Sequence, residues 1–94
     1  MRLLLIEDHQ RFANFVKDGL EKEGFTVDCV NTAATGEAAQ ATVQYDSIIL
    51  DLGLPDQDGL DLLRSWREDG SKTPVLILTA RDGIDERVKG LNSG

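Results

Sequence analysis

Residues Tyr45 to Leu60, YDSIILDLGLPDQDGL, carry the reading of this chain. Ser47-Ile48-Ile49-Leu50 is an apolar, strand-like run that stops at the carboxylate of Asp51. Gly53, Pro55 and Gly59 follow, residues that turn a chain and do not readily continue a helix or strand. An acid at the mouth of a buried strand, backed by a stiff loop, is placed for chemistry more than for packing. Two more apolar runs end in polar groups. Leu3-Leu4-Leu5-Ile6 runs into Glu7 and Asp8, and Val75-Leu76-Ile77-Leu78 runs into Thr79. Three parallel strands would gather these carboxyl-end groups at one place.

The rest of the chain supplies the crossovers that parallel strands need. Arg2 to Ile6 reads as a central strand, apolar on both faces. The spacing predicts a helix from about His9 to Glu23, with Phe12, Phe15, Val16, Gly19 and Leu20 on the apolar side and Gly24 as terminator. Phe25 to Val30 is a second strand, which Asp28 marks as an edge. An alanine-rich helix over Thr35 to Gln44 presents Ala38, Thr42 and Tyr45 on one side. A helix from about Gly59 to Asp69 is capped by Asp58 and buries Leu60, Leu63 and Trp66. Val75 to Leu78 forms the fourth strand, and Asp82 to about Asn92 a last helix with Ile84, Val88 and Leu91 inward. Strand and helix in alternation mean an α/β fold with a parallel sheet and right-handed crossovers. Ligands of such sheets bind beyond the carboxyl ends of the strands, where strand order reverses.

Bulk properties narrow the classes. With 94 residues, 40% apolar and 29% charged, the chain is one small globular domain. A net charge of -7 argues against nucleic-acid binding by this segment, since phosphate contacts need clustered Lys and Arg. The longest apolar runs are four residues, so no membrane span is expected, and Met1 leads directly into a strand without a signal peptide, an expectation of cytoplasmic location. Cys29 is the one cysteine, which rules out an internal disulfide and reads as a structural thiol.

The first strand-to-helix turn holds Glu7 and Asp8 in place of the glycines of a nucleotide site, so a bare phosphate would be repelled. A cation must stand between. Oxygen donors alone, few and on separate strands, suit Mg²⁺, with Asp8 and Asp51 as direct ligands, Glu7 through water and the Gly53 carbonyl completing the set. With its charge screened, Asp51 can take a phosphoryl group as an acyl phosphate. Thr79 would hydrogen-bond a phosphoryl oxygen and Ala80 would leave an approach path. Each residue also has a plain structural role available: Asp8 as cap of the first helix, Thr79 as cap of the last, His9 as an exposed first-turn residue. A calcium loop over Asp56-Gln57-Asp58-Gly59 fails, because its first and twelfth ligand positions hold Leu54 and Ser65.

LLLIED at residues 3–8, IILDLGLPDQDGL at 48–60 and PVLILTARD at 74–82 together resemble the receiver domain of bacterial two-component response regulators. The likeness is greatest to the winged-helix transcription-factor branch. It implies a flavodoxin-like, doubly wound parallel sheet of order 2-1-3-4, with residues 1–94 as a phosphoacceptor domain. It further implies Asp51 as phosphoacceptor, Glu7 and Asp8 as the acidic pair at Mg²⁺ with the Gly53 carbonyl, Thr79 as switch hydroxyl and Ala80 as its small neighbour. The implied partner is a sensor histidine kinase, and the implied output is transcription through a DNA-binding domain outside these residues. The family pattern has a fifth strand with a phosphoryl-binding lysine and an aromatic switch residue, then a fifth helix. These residues contain none of them, so the expectation is a fragment whose fourth strand pairs with a second chain. Two other functions compete. A metal-dependent phosphohydrolase would need an acid two residues beyond Asp51, where Gly53 stands. An unphosphorylated interaction fragment is compatible with the composition.

Overall fold

The computed structural model describes residues 1–78; Thr79, Ala80 and the expected last helix lie outside the described residues. In chain order these residues form β1 (Arg2–Ile6), α1 (Gln10–Lys22), β2 (Thr26–Val30), α2 (Ala33–Thr42), β3 (Ser47–Asp51), α3 (Gly59–Glu68) and β4 (Val75–Leu78). The strands make one sheet in the order β2-β1-β3-β4, parallel at each described pairing. This is the expected doubly wound topology.

The order dictates the layers. The step from β1 to β2 goes one way across the sheet, and the steps from β2 to β3 and β3 to β4 go the other. Right-handed crossovers must then put the first helix on the face opposite the other two. Packing agrees. Leu3, Leu5 and Ile49 pack with Ala13, Val16 and Leu20 of α1, whereas Leu4, Ile6, Ile48 and Leu50 pack with Ala33 of α2 and with Leu62, Leu63 and Trp66 of α3. The alternation of side chains along each strand feeds both clusters. β1 and β3 are central and almost wholly buried, and β2 lies at an edge as Asp28 suggested.

The helix faces differ in detail from the sequence reading. On α1 the strip against the sheet is Ala13, Val16 and Leu20; Phe12, Phe15 and Gly19 are exposed, Phe15 at 75%. The sheet covers only one narrow strip of a helix, and two strips of α1 share the same period. On α2 the buried residues are Ala33 and Gly36, with Ala39 and Val43 partly packed; Ala38 and Thr42 face outward. This helix starts earlier than expected because Thr32 and Thr35 form a reciprocal capping box. On α3 Leu62 is buried and Leu60 only partly so. Asp58 caps α3 as expected, its Oδ1 accepting from the Leu60 N–H at 3.0 Å, and Gly24 takes the positive φ of 95° that ends α1.

Toward the amino ends of the strands a polar lattice ties three of them together. Arg2 donates from Nε to Asp28 Oδ2 at 3.0 Å, and its guanidinium lies over the Tyr45 ring. The Tyr45 hydroxyl donates to the same oxygen at 2.7 Å, and the Arg2 backbone N–H to Asp46 Oδ2 at 2.7 Å. Burial and the Asp28 carboxylate push Tyr45 up to about 12, while the Tyr45 hydrogen bond and Arg2 hold Asp28 below its ordinary value. No helix among the described residues is long and apolar enough to cross a membrane.

Candidate functional site

Strand register builds the site. Ile6 of β1 lies opposite Leu50 of β3, so one residue further Glu7 comes level with Asp51. The pair sits where the chain leaves β1 in one direction and β3 in the other, the reversal point of the sheet. Both are deeply buried, at 5% exposure each, and they are the buried charged groups among the described residues. Asp8 is half-buried beside them and His9 is exposed at the rim. One ligand atom from each of Glu7, Asp8, His9 and Asp51 lies within 4.8 Å of the others.

Electrostatics there are unfavourable. Burial raises the Glu7 carboxyl to about 7 from the ordinary 4.5; a hydrogen bond to Asp51 and the charges of Asp51 and Asp8 push the same way, and His9 opposes them. The hydrogen bond requires a proton on the pair, since two carboxylates can only accept. Glu7 Oε2 and Asp8 Oδ1 are buried without a hydrogen-bond partner. Buried, unpartnered carboxylate oxygens are costly unless a proton or a cation meets them. The donor set therefore fits a small divalent cation, with oxygens from two adjacent strands aimed at one point.

Two features around Asp51 were not apparent from sequence. A Cβ on Gly59 would sit 2.6 Å from the Asp51 carbonyl oxygen and 2.8 Å from Leu52 Cα, so the first turn of α3 rests directly on the backbone that carries the acid. The Gly59 N–H also donates to Leu52 O at 3.1 Å. Asp56, in the stretch that fails as a calcium loop, spans to α2 and accepts from the N–H groups of Ala33 and Ala34 at 2.8 and 3.0 Å. These two bonds hold its carboxyl below the ordinary range. The loop after Asp51 is thus fastened at both ends, to α2 and to α3. A partner 22 or 23 residues away leaves no local signature, whereas the Thr32–Thr35 box that begins α2 could have been read.

Gly53 lies at the Asp51 side chain, its Cβ position 3.7 Å from Oδ2. The α1 N-cap is His9, which makes no capping hydrogen bond, so Asp8 does not have the capping role open to it from sequence. A cavity of about 250 Å³ beside Glu7 is lined by Gln10, Ala13, Cys29, Val30, Asn31 and Thr35. Burial there raises the Cys29 thiol, which keeps it in its unreactive form.

Acids brought together at a sheet reversal point invite comparison with proteins of the same geometry. The family model for the response regulator receiver domain matches residues 3–94. The chain belongs to that family. The receiver is 52% identical over 94 residues to the transcriptional regulatory protein QseB of Escherichia coli O157:H7, covering 100% of this chain and 43% of that protein. It is 53% identical over 94 residues to the QseB of Haemophilus influenzae, covering 42% of it. The receiver thus spans less than half the length of these curated relatives. Among solved structures it is similar to the receiver domain of the Francisella response regulator 1452, with a TM-score of 0.91, 31% identity and coverage of 99% of this chain and 77% of that one.

Proposed function

We propose that this receiver accepts a phosphoryl group on Asp51 from a phosphohistidine of a sensor histidine kinase, and that the regulator it serves controls transcription. The observation that carries the reading is the buried Asp51 carboxylate, level with Glu7 at the reversal point and grouped with Asp8. In the transfer the phosphorus–nitrogen bond to the histidine breaks, a phosphorus–oxygen bond to an Asp51 Oδ forms, and the released imidazole takes up a proton. Residues suited to hold Mg²⁺ are Glu7, Asp8 and Asp51, with the carbonyl of Gly53. A bound Mg²⁺ would supply positive charge that offsets the clustered acids and the incoming phosphoryl oxygens. Gly59 and Asp56 keep the backbone of the acceptor loop fixed, so Asp51 meets its donor without reorganisation. Thr79 would hydrogen-bond the phosphoryl group and Ala80 would admit the donor. Gly53 offers no proton to a leaving group, which separates a single acceptance from repeated phosphomonoester turnover.

The test is acetyl phosphate with Mg²⁺, followed by intact mass. One phosphoryl increment is expected on the chain and none on Asp51→Asn. An increment that persists in Asp51→Asn would place the chemistry elsewhere. We also propose that the chain self-associates along β4. Contacts to DNA would belong to a part of the regulator outside these residues.

A further inference from the structure

We propose that His9 is a metal ligand, so that the cluster is a mixed nitrogen and oxygen site that takes a borderline divalent ion such as Zn²⁺ or Ni²⁺ more tightly than Mg²⁺. The inference rests on reading Glu7, Asp8 and Asp51 as a metal centre and adds a donor that changes which metal the centre prefers. His9 occupies the N-cap of α1 with extended backbone, φ -81° and ψ 102°, and its imidazole caps nothing. It turns back over the end of β1 instead, with Nδ1 at 3.3 Å from Glu7 Oε1 and 3.5 Å from Asp8 Oδ1. Independently of the acids' number, Glu7 is 5% exposed and its Oε2 lacks any partner. Donors bound to one ion at about 2.1 Å stand no more than about 4.2 Å apart. Four donor atoms already within 4.8 Å therefore need only small side-chain rotations to close on one ion.

The donor types decide the preference. Carboxylates alone suit Mg²⁺, which gains little from an imidazole; adding a nitrogen favours Zn²⁺, Ni²⁺ and Cu²⁺, which follow the Irving–Williams order. The plainer role for His9 is a counter-charge to Glu7 and Asp8. The two roles differ in outcome, because a metal would displace a counter-charge but is held by a ligand.

The experiment is titration calorimetry of the untagged chain with ZnCl₂, NiCl₂ and MgCl₂, on wild type, His9→Ala, Asp51→Asn and Cys29→Ser. The sequence has one histidine, so the imidazole nitrogen resonances in a ¹⁵N spectrum report on His9 alone. The expected result is that His9→Ala loses about tenfold or more in Zn²⁺ and Ni²⁺ affinity and less than about twofold for Mg²⁺. Asp51→Asn should weaken all three ions, Cys29→Ser none, and Zn²⁺ should shift Nδ1. Zn²⁺ and Ni²⁺ affinities unchanged in His9→Ala, or lost in Cys29→Ser, would overturn the assignment while leaving the Mg²⁺ site standing. Mg²⁺ binding indifferent to Asp51→Asn would instead overturn the metal centre itself.

Discussion

At the scale of single residues, Glu7 is the most telling group because its environment disfavours its own charge. Its folded value of about 7 stands above the ordinary 4.5, so between these two pH values the folded chain holds a proton that the unfolded chain has released. The Glu7 contribution to metal-free stability should therefore be greatest below pH 4.5, fall as pH rises, and level off above about 7, while Asp28 and Asp56, held below their ordinary values, lose theirs at the acid end. Melting temperatures in EDTA across that range check this, and Glu7→Gln should flatten the slope because the amide does not titrate. Mg²⁺ competes with the proton, so its affinity should rise with pH through about 7. Calorimetric Mg²⁺ affinities measured at successive pH values would show it; an affinity that falls with pH would contradict the arrangement. The strand-end acids Glu7, Asp8 and Asp51 were legible because an apolar run that stops at a carboxylate is a local pattern. The placement of His9 was not, because only the backbone turn at the helix start decides where its ring points.

At the scale of elements, close approach sets the geometry. A Cβ on Gly36 would lie 2.5 Å from Ile6 Cδ1, so α2 sits on β1 as near as a glycine allows. Gly36→Ala should cost about 1–3 kcal/mol through this overlap, read by urea denaturation. A loss well under that would mean that Ile6 rotates away freely. Asp56→Ala removes two acceptors from the start of α2 and the loop's tether at once, and should lower the melting temperature and slow phosphorylation by acetyl phosphate. A slower reaction at unchanged stability would assign Asp56 to positioning alone. Element identity and order were legible from periodicity; which strip of α1 meets the sheet was not. Phe12 and Phe15 satisfy the same period as Ala13 and Val16, and only the sheet's position distinguishes them.

At the scale of the whole molecule, the reversal of strand order was legible from the alternation of elements together with the receiver resemblance, and it fixes both the layers and the site. Self-association turns on β4, which among the described residues pairs with β3 alone and leaves Leu76 54% exposed. An open strand edge with an apolar side chain is a template for another strand. Sedimentation at roughly tens of micromolar, where moderate association registers, should show dimer, and Leu76→Lys should shift it to monomer. A monomer in the unaltered chain would rule the pairing out. The Arg2, Asp28 and Tyr45 lattice has a further consequence for the opposite end of the sheet. A five-residue strand is roughly 16 Å long, so the Arg2 guanidinium and the crowded acids stand at opposite ends of the sheet. Among the described residues the charge that opposes the repulsion on Glu7 is His9, and a cation from solution can relieve the rest. The sheet is anchored at one end and held ready at the other.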